Sequence, residues 1–131
     1  MTTTIRAKKI AFTLDCPDAR ALAEFYGGML GWRLDYDPED AEWVDLVPPE
    51  GEGAGVELGF QTVPDYRAPE WPEGVVPQQG HLDLYVESLE DAGKLAVSLG
   101  ARRHEVQPSV TGSFVVYLDP VGHPFCLCRA D

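Results

Sequence analysis

The chain first alternates hydrophobic and polar residues and then changes to a helical spacing. In residues 8–16 the hydrophobic positions of the alternating stretch are Ile10, Phe12, Leu14 and Cys16. Asp18 is a predicted N-cap, and hydrophobic residues then recur at helical intervals until Gly31 ends the run. The pattern predicts a half-buried strand followed by an amphipathic helix.

The same order returns about seventy residues later in the chain. In residues 81–87 the hydrophobic positions alternate as Leu82, Leu84 and Val86. Ser88 with Asp91 resembles a capping box, and it precedes a second helical stripe that ends at Gly100. The stripe consists of Leu89, Ala92, Leu95, Ala96 and Leu99. A second strand and a second helix are therefore predicted.

Three short β-like runs follow each predicted helix. They are residues 32–37, 42–47 and 55–62 in the first half, and residues 101–107, 113–118 and 123–129 in the second. This internal repeat predicts an α+β fold of two β-α-β-β-β modules. We expect one domain over residues 1–131, with module 1 at about residues 6–62 and module 2 at residues 81–131.

Residues 63–80 separate the two predicted modules. Four prolines in this segment oppose regular structure, so it is either a linker or a loop over a site. It carries Tyr66 and Trp71, two aromatic side chains that could close such a site.

Composition narrows the classes of function that remain. The 131 residues include 22 Asp and Glu but 10 Lys and Arg, and the resulting net charge of −12 disfavours nucleic-acid and anionic membrane partners. No hydrophobic run approaches the ~20 residues of a membrane span. Three cysteines are an odd number, and no hydrophobic leader follows the first residues, so we expect a reduced, cytoplasmic protein.

The repeat, together with the stretches LAEFYGGMLGW, GHLDLYVESLEDA and LDPVGHPFCLC, resembles the glyoxalase/bleomycin-resistance/dioxygenase group, the vicinal oxygen chelate superfamily. The resemblance covers nearly the whole chain. It implies two modules whose curved sheets form a cup, completed within one chain or by pairing across subunits, and we expect a homodimer. Members of this group bind or transform small molecules in the cup.

The resemblance also assigns four positions that hold a metal ion in metal-dependent members. They fall on Ala11, on His81, on Cys126 and, in an ambiguous register, on Glu57 or Gly59, with Gly59 the better match. Alanine and glycine have no ligand atom in the side chain. The positions are therefore degenerate, and we expect neither a metal nor another cofactor. The alternative is a divalent metal held weakly by His81 and Cys126.

The last part of the chain, YLDPVGHPFCLC, can be interpreted as a metal or thiol site or as an ordinary last strand. His81 with Cys126 could form an improvised zinc site, with Cys128 or Glu57 as a further ligand. Free cysteine is also a common small buried residue, and His81 alone is more often a hydrogen-bonded structural residue than a ligand. We favour the ordinary strand, with both thiols lining the cup.

Polar residues on the face opposite the hydrophobic positions are the candidates for ligand contact. The predicted ligand-binding set is Thr13, Asp15, Trp43, His81, Asp83, Tyr85, Cys126 and Cys128. No catalytic residue is identified. The first hypothesis is metal-independent binding of an organic small molecule, for sequestration or acid-base catalysis. The alternatives are a metal-dependent lyase, isomerase or dioxygenase, and a non-catalytic interaction or regulatory module.

Overall fold

The computed structural model describes residue 4, residues 6–7 and residues 9–130. The chain divides into two compact units between Pro64 and Asp65. Each unit contains one four-stranded mixed sheet and one α-helix, in the order β-α-β-β-β. The predicted α+β class and the two modules are confirmed.

The first module holds strand β1 (Ile10–Cys16), helix α1 (Ala19–Leu30) and strands β2 (Arg33–Asp37), β3 (Asp40–Val47) and β4 (Val56–Thr62). The strand order in its sheet is β1-β4-β3-β2, with β1 and β4 parallel and the other pairs antiparallel. Parallel pairing of the first and last strands requires a crossover, which α1, β2 and β3 provide.

Helix α1 begins and ends where the sequence predicts. The carboxylate of Asp18 accepts a hydrogen bond from the backbone N–H of Ala21, which satisfies one of the free donors of the first turn. Gly31 adopts a left-handed conformation with φ of 73°, and its N–H bonds to the carbonyl of Gly27. The helix covers a core of fully buried side chains: Leu22, Tyr26, Val44, Leu46 and Phe60.

The second module repeats this arrangement with β5 (Leu82–Val86), α2 (Leu89–Ser98), β6 (Arg102–Arg103), β7 (Phe114–Leu118) and β8 (Pro124–Arg129). Its strand order is β5-β8-β7-β6, and β5 and β8 are the parallel pair. The predicted N-cap is confirmed, because Ser88 Oγ accepts the N–H of Asp91 at 3.1 Å. No helix among the described residues is long and apolar enough to cross a membrane.

Three details that the sequence pattern predicts are wrong. The first strand begins at Ile10, whose side chain is 60% exposed and is not part of the core, while Lys8 lies outside the described residues. In α2, Leu95 and Leu99 are 43% and 38% exposed. The small residue Gly93 is buried instead and lies against the hydroxyl of Tyr117, which fills the space that a larger side chain would need.

The third error is the length of the run at residues 101–107, which forms only the two-residue strand β6. Gln107 replaces the missing backbone ladder with its side-chain amide. Its Oε1 accepts the N–H of Val116 at 2.9 Å, and its Nε2 donates to the carbonyls of Val116 and His104. Because the Gln107 side chain forms hydrogen bonds that the backbone edge of β7 needs, β6 does not have to continue.

The turn between β7 and β8 is organised by Asp119, a carboxylate with no exposed surface. Its Oδ1 accepts the N–H groups of Val121 and His123, both at 3.0 Å. Tyr66, from the proline-rich segment, lies over the same turn, with its hydroxyl 3.1 Å from the carbonyl of Val121 and 3.2 Å from His123 Nε2. The Asp-Pro-Val-Gly-His stretch is therefore a hydrogen-bonded turn that starts the last strand.

We predict that Asp119→Ala lowers the free energy of unfolding by about 2–4 kcal/mol, because two partly buried N–H groups lose their buried acceptor. Asp119→Asn keeps an acceptor oxygen and should cost less. The matched control is Asp37→Ala, since the Asp37 carboxylate accepts the N–H of Glu39 in an exposed turn. Urea denaturation measures all three variants, and equal losses for Asp119→Ala and Asp37→Ala would contradict the assigned role.

Candidate ligand-binding site

The second sheet has one face under helix α2 and one face turned away from it. Phe125 and Leu127 of β8 pair with Leu82 and Leu84 of β5 on the helix face. Cys126 and Cys128 alternate with them and therefore lie on the opposite face. We call this opposite face, which also carries Asp83, Tyr85, Phe114 and Val116, the open face of the second sheet.

A cavity of about 210 Å³ lies on the open face. Its apolar wall is formed by Trp71, Pro108, Phe114, Val116 and Pro124. Its polar groups come from Gln78, His81 and Cys126. A few polar groups in a mostly apolar, concave surface are typical of small-molecule sites, and the volume suits one aromatic ring with a short substituent.

Trp71 forms the part of this wall that comes from the proline-rich segment. Its ring packs against the cluster of Val116, Cys126 and Cys128, and it meets the ring of His104 edge-on at 5.0 Å between centroids. The segment 63–80 is therefore a loop over a site, which is one of the two possibilities that its sequence leaves open.

The loop that carries Trp71 is fixed by its neighbour Glu70. The Glu70 carboxylate accepts the N–H groups of Val75 and Val76 at 2.8 and 3.0 Å, and its own N–H donates to the carbonyl of Val76. A short bridge joins Glu70 to Pro77. These bonds close the loop on itself, so that Trp71 is presented from an ordered backbone.

The polar end of the cavity is formed by His81 and Cys126, and both contact Asp83, which lies beside the lining residues. Asp83 Oδ1 is 3.1 Å from His81 Nε2. The thiol of Cys126 also donates to the Asp83 carboxylate, which lies directly across the β5–β8 pair. Asp83 thus accepts from both partners, and a neutral His81 with its proton on Nε2 keeps Nδ1 as an acceptor.

Both thiols of the open face are held in their protonated form. Burial, followed by the charge of Asp83 and the hydrogen bond to it, raises the pKa of Cys126 to about 12. Burial and the same carboxylate also raise the pKa of Cys128. A thiol with a raised pKa is a poor nucleophile, so neither cysteine is suited to covalent catalysis at neutral pH.

The same three side chains are the one group of His, Cys, Asp and Glu in the described chain whose donor atoms could hold a metal. Their ligand atoms lie within 4.8 Å of one another. Three donors match the usual number in a catalytic zinc site, so the set fits zinc in type and in number. Asp83 is the third donor, whereas the sequence suggests Cys128 or Glu57 beside His81 and Cys126.

The predicted residues of the first module lie in its own sheet. Thr13 and Asp15 pair with Gly59 and Gln61, on the face opposite the buried side chains. A Cβ atom on Gly59 would be 2.9 Å from Thr13 Oγ1, so Thr13 takes the space of a side chain at Gly59. In the second sheet Asp83 pairs with Cys126, and in the first sheet Thr13 pairs with Gly59. Gly59 is therefore the counterpart of Cys126, which supports Gly59 rather than Glu57 as the degenerate position.

On the same face of the first sheet as Thr13 and Asp15, Trp43 and Glu57 each make a polar pair. Trp43 is half-exposed and donates its indole N–H to Asp45 at 3.0 Å. Glu57, the other candidate for the degenerate position, pairs with Lys9 at 3.4 Å and lies opposite Ala11. Among the described residues of this module, no three potential ligands come together.

The structure brings together three of the eight predicted site residues, His81, Asp83 and Cys126, and two of them, His81 and Cys126, line the cavity. Tyr85 and Cys128 share the open face, but Tyr85 is 70% exposed and neither lines the cavity. Sequence reasoning misses the wall residues Pro108, Phe114, Val116 and Pro124 and the polar Gln78. The run FVVYL in β7 has no polar alternation, so its two faces cannot be distinguished from the sequence.

Comparison with known proteins agrees with this architecture. The family model for the glyoxalase-like domain matches residues 11–128. Among solved structures, a glyoxalase/bleomycin resistance protein/dioxygenase family enzyme from Burkholderia phytofirmans PsJN is 16% identical, with a TM-score of 0.67 over 95% of this chain and 100% of that chain. No curated protein matches the chain by sequence.

Two further structures have the same fold. A glyoxalase/dioxygenase from Nostoc punctiforme is 18% identical, with a TM-score of 0.65 over 97% of both chains. An antibiotic-binding protein from Streptomyces sp. CB03234 is 16% identical, with a TM-score of 0.64 over 98% of this chain and 100% of that chain.

We predict that Cys126 is alkylated slowly by iodoacetamide in the folded protein. A rise in pKa from 9 to about 12 lowers the thiolate fraction about 1,000-fold at any pH below 9. Asp83→Asn should speed alkylation several-fold, since it removes the charge that opposes the thiolate, whereas Asp15→Asn on the first sheet should not. Fragment-ion mass spectrometry at pH 8 separates Cys126 from Cys128. Modification of Cys126 as fast as in the urea-unfolded chain would contradict the prediction.

Proposed function

The chain belongs to the glyoxalase-like domain family, and from that premise we propose that its second module binds a small, planar organic molecule without a resident metal. The observation that carries this proposal is the cavity of about 210 Å³, with one wall of flat apolar side chains and one polar end. Trp71 and Phe114 supply aromatic surface, against which a planar ring packs favourably.

Sequestration and acid-base catalysis are both compatible with this site. An antibiotic-binding protein is among the similar structures, which supports the use of this fold for sequestration. For catalysis, His81 has Asp83 on Nε2, an arrangement that holds the imidazole in place and leaves Nδ1 to take a proton from a ligand. The homodimer and the cytoplasmic location expected from the sequence stay predictions.

We predict that a ligand of this class stabilises the protein and that Trp71 is required for its binding. A ligand at about 100 times its dissociation constant adds about 2.7 kcal/mol, which for a chain of this size raises the melting temperature by roughly 2–8 °C. Trp71→Ala should weaken binding at least about tenfold, because it removes the largest side chain of the wall. Trp43→Ala, a half-exposed tryptophan outside the cavity, is the matched control.

Thermal shift and tryptophan fluorescence against a broad library, with aromatic antibiotics and metabolites included, test the proposal. The absence of any melting shift and any fluorescence change across the library would favour a non-catalytic interaction module. Equal losses of affinity in the two tryptophan variants would place the binding site elsewhere.

A second candidate function is metal-dependent catalysis, favoured by the three donors His81, Asp83 and Cys126. When bound, a zinc ion at this cluster would act as a Lewis acid or lower the pKa of a bound water. Two features oppose it. The thiol must lose a proton that burial and Asp83 retain, and both His81 and Cys126 are already satisfied by Asp83.

We predict that untagged protein purified without chelator contains substoichiometric metal, and that His81→Ala and Cys126→Ala leave both the metal content and the fold unchanged. Elemental analysis and circular dichroism measure these quantities, with Asp15→Asn as the control variant. A stoichiometric metal that is lost together in His81→Ala, Asp83→Asn and Cys126→Ala would establish the metal centre and reject metal-independent binding.

A further inference from the structure

The charge nearest to the polar end of the cavity is a carboxylate. Within the described part of the chain, no Lys, Arg, Asp or Glu lines the cavity, and the carboxylate of Asp83 lies beside the lining residue His81, 3.1 Å from its Nε2. Lys94 and Arg103 line a separate groove beside α2, on the helix side of the sheet, while Arg102 pairs with Leu118 on the edge strand β6, on the open face but outside the lining of the cavity. Lys94 is also paired with Glu90 at 3.1 Å. An anionic ligand would find no cation in the cavity to replace its water.

The hydrogen-bonding groups of the polar end also disfavour an anionic ligand. With His81 in the tautomer that carries its proton on Nε2, this proton and the thiol proton of Cys126 are both directed to Asp83, so neither is available to a ligand. The groups that can still bond to a ligand are acceptors, namely the Asp83 carboxylate and Nδ1 of His81. The amide of Gln78 is neutral and can adapt to either kind of partner. The cluster therefore favours a ligand that donates hydrogen bonds.

The exposure of these groups decides where a charge could sit. The side chains of His81 and Asp83 are 39% and 43% exposed, whereas Phe114, Val116 and Cys126 are buried or half-buried deeper in the wall. A charged group at the His81–Asp83 rim keeps part of its hydration, while an attached ring enters the apolar part. Trp71 adds an aromatic surface to which cations are attracted.

We infer that the cavity selects small planar molecules that carry an amine or amidinium group, with the cation at the Asp83 carboxylate and the ring between Trp71 and Phe114. This inference rests on the proposed binding function and names the chemical class of the ligand. The net charge of −12 on the whole chain acts in the same direction, since it concentrates cations near the protein.

The test compares three single-ring probes of nearly equal size: benzamidine, which is a cation, benzamide, which is neutral, and benzoate, which is an anion. Isothermal titration calorimetry at about 20 mM and about 200 mM salt gives their dissociation constants, because screening separates charge effects from packing. We expect benzamidine to bind at least about tenfold more tightly than benzoate at low salt, with benzamide between them and insensitive to salt.

Two variants separate the local charge from the charge of the whole protein. Asp83→Asn should reduce the ratio between benzamidine and benzoate to about threefold or less, because it removes the charge and keeps the size of the side chain. Asp91→Asn removes the same charge from the first turn of α2, on the helix side of the sheet, and should keep the ratio. A ratio that falls equally in both variants would overturn the assignment to Asp83.

The remaining outcomes are distinct. Benzamide that binds while benzamidine gains nothing over it would overturn the charge preference and leave the proposed cavity binding intact. Failure of all three probes to bind would overturn both. If added zinc reverses the order so that benzoate binds best, His81, Asp83 and Cys126 hold a metal ion and the inference is rejected.

Discussion

Burial of strand β8 on both faces is the constraint on which the second module depends. Five consecutive residues, from Pro124 to Cys128, are buried, although side chains in a strand alternate between faces. Helix α2 covers the face of Phe125 and Leu127. Trp71 covers the other face over Cys126, so the proline-rich loop forms the covering layer on that side. Once β8 is covered in this way, space remains beside Trp71, and that space is the cavity.

The elements could be predicted from the sequence because the signals that specify them are local. Strand alternation, the caps at Asp18 and Ser88 and the stop at Gly31 each depend on a few neighbouring residues, and each is found in the structure. The end of β6 could not be predicted, because the side-chain amide of Gln107 replaces a backbone ladder. Nothing in a single sequence distinguishes that glutamine from a surface residue.

The candidate site was only partly predictable for a related reason. His81 and Asp83 are two residues apart in an alternating stretch, so the sequence alone places them on one face, although β5 itself begins at Leu82. Their meeting with Cys126 depends on the β5–β8 register, which pairs residues 43 positions apart. The position of Trp71 depends on packing against residues far away in the sequence, and its own segment has no periodic pattern. Residues that line a cavity through such packing leave no periodic signal of their own.

The thiol at position 126 is consistent with the proposed binding of an organic molecule. Cys126 is 7% exposed and lies directly across from Asp83. A carboxylate in its place would set two like charges against each other with little water between them, and such a pair needs a bound cation or a shared proton. A protonated thiol removes that requirement, because it is neutral and gives its hydrogen bond to Asp83. One carboxylate then remains at the rim, where partial exposure tolerates its charge, and the wall behind it stays apolar. Under the proposed function, a neutral thiol at this position therefore suits the wall of a site for an organic ring better than a second carboxylate would.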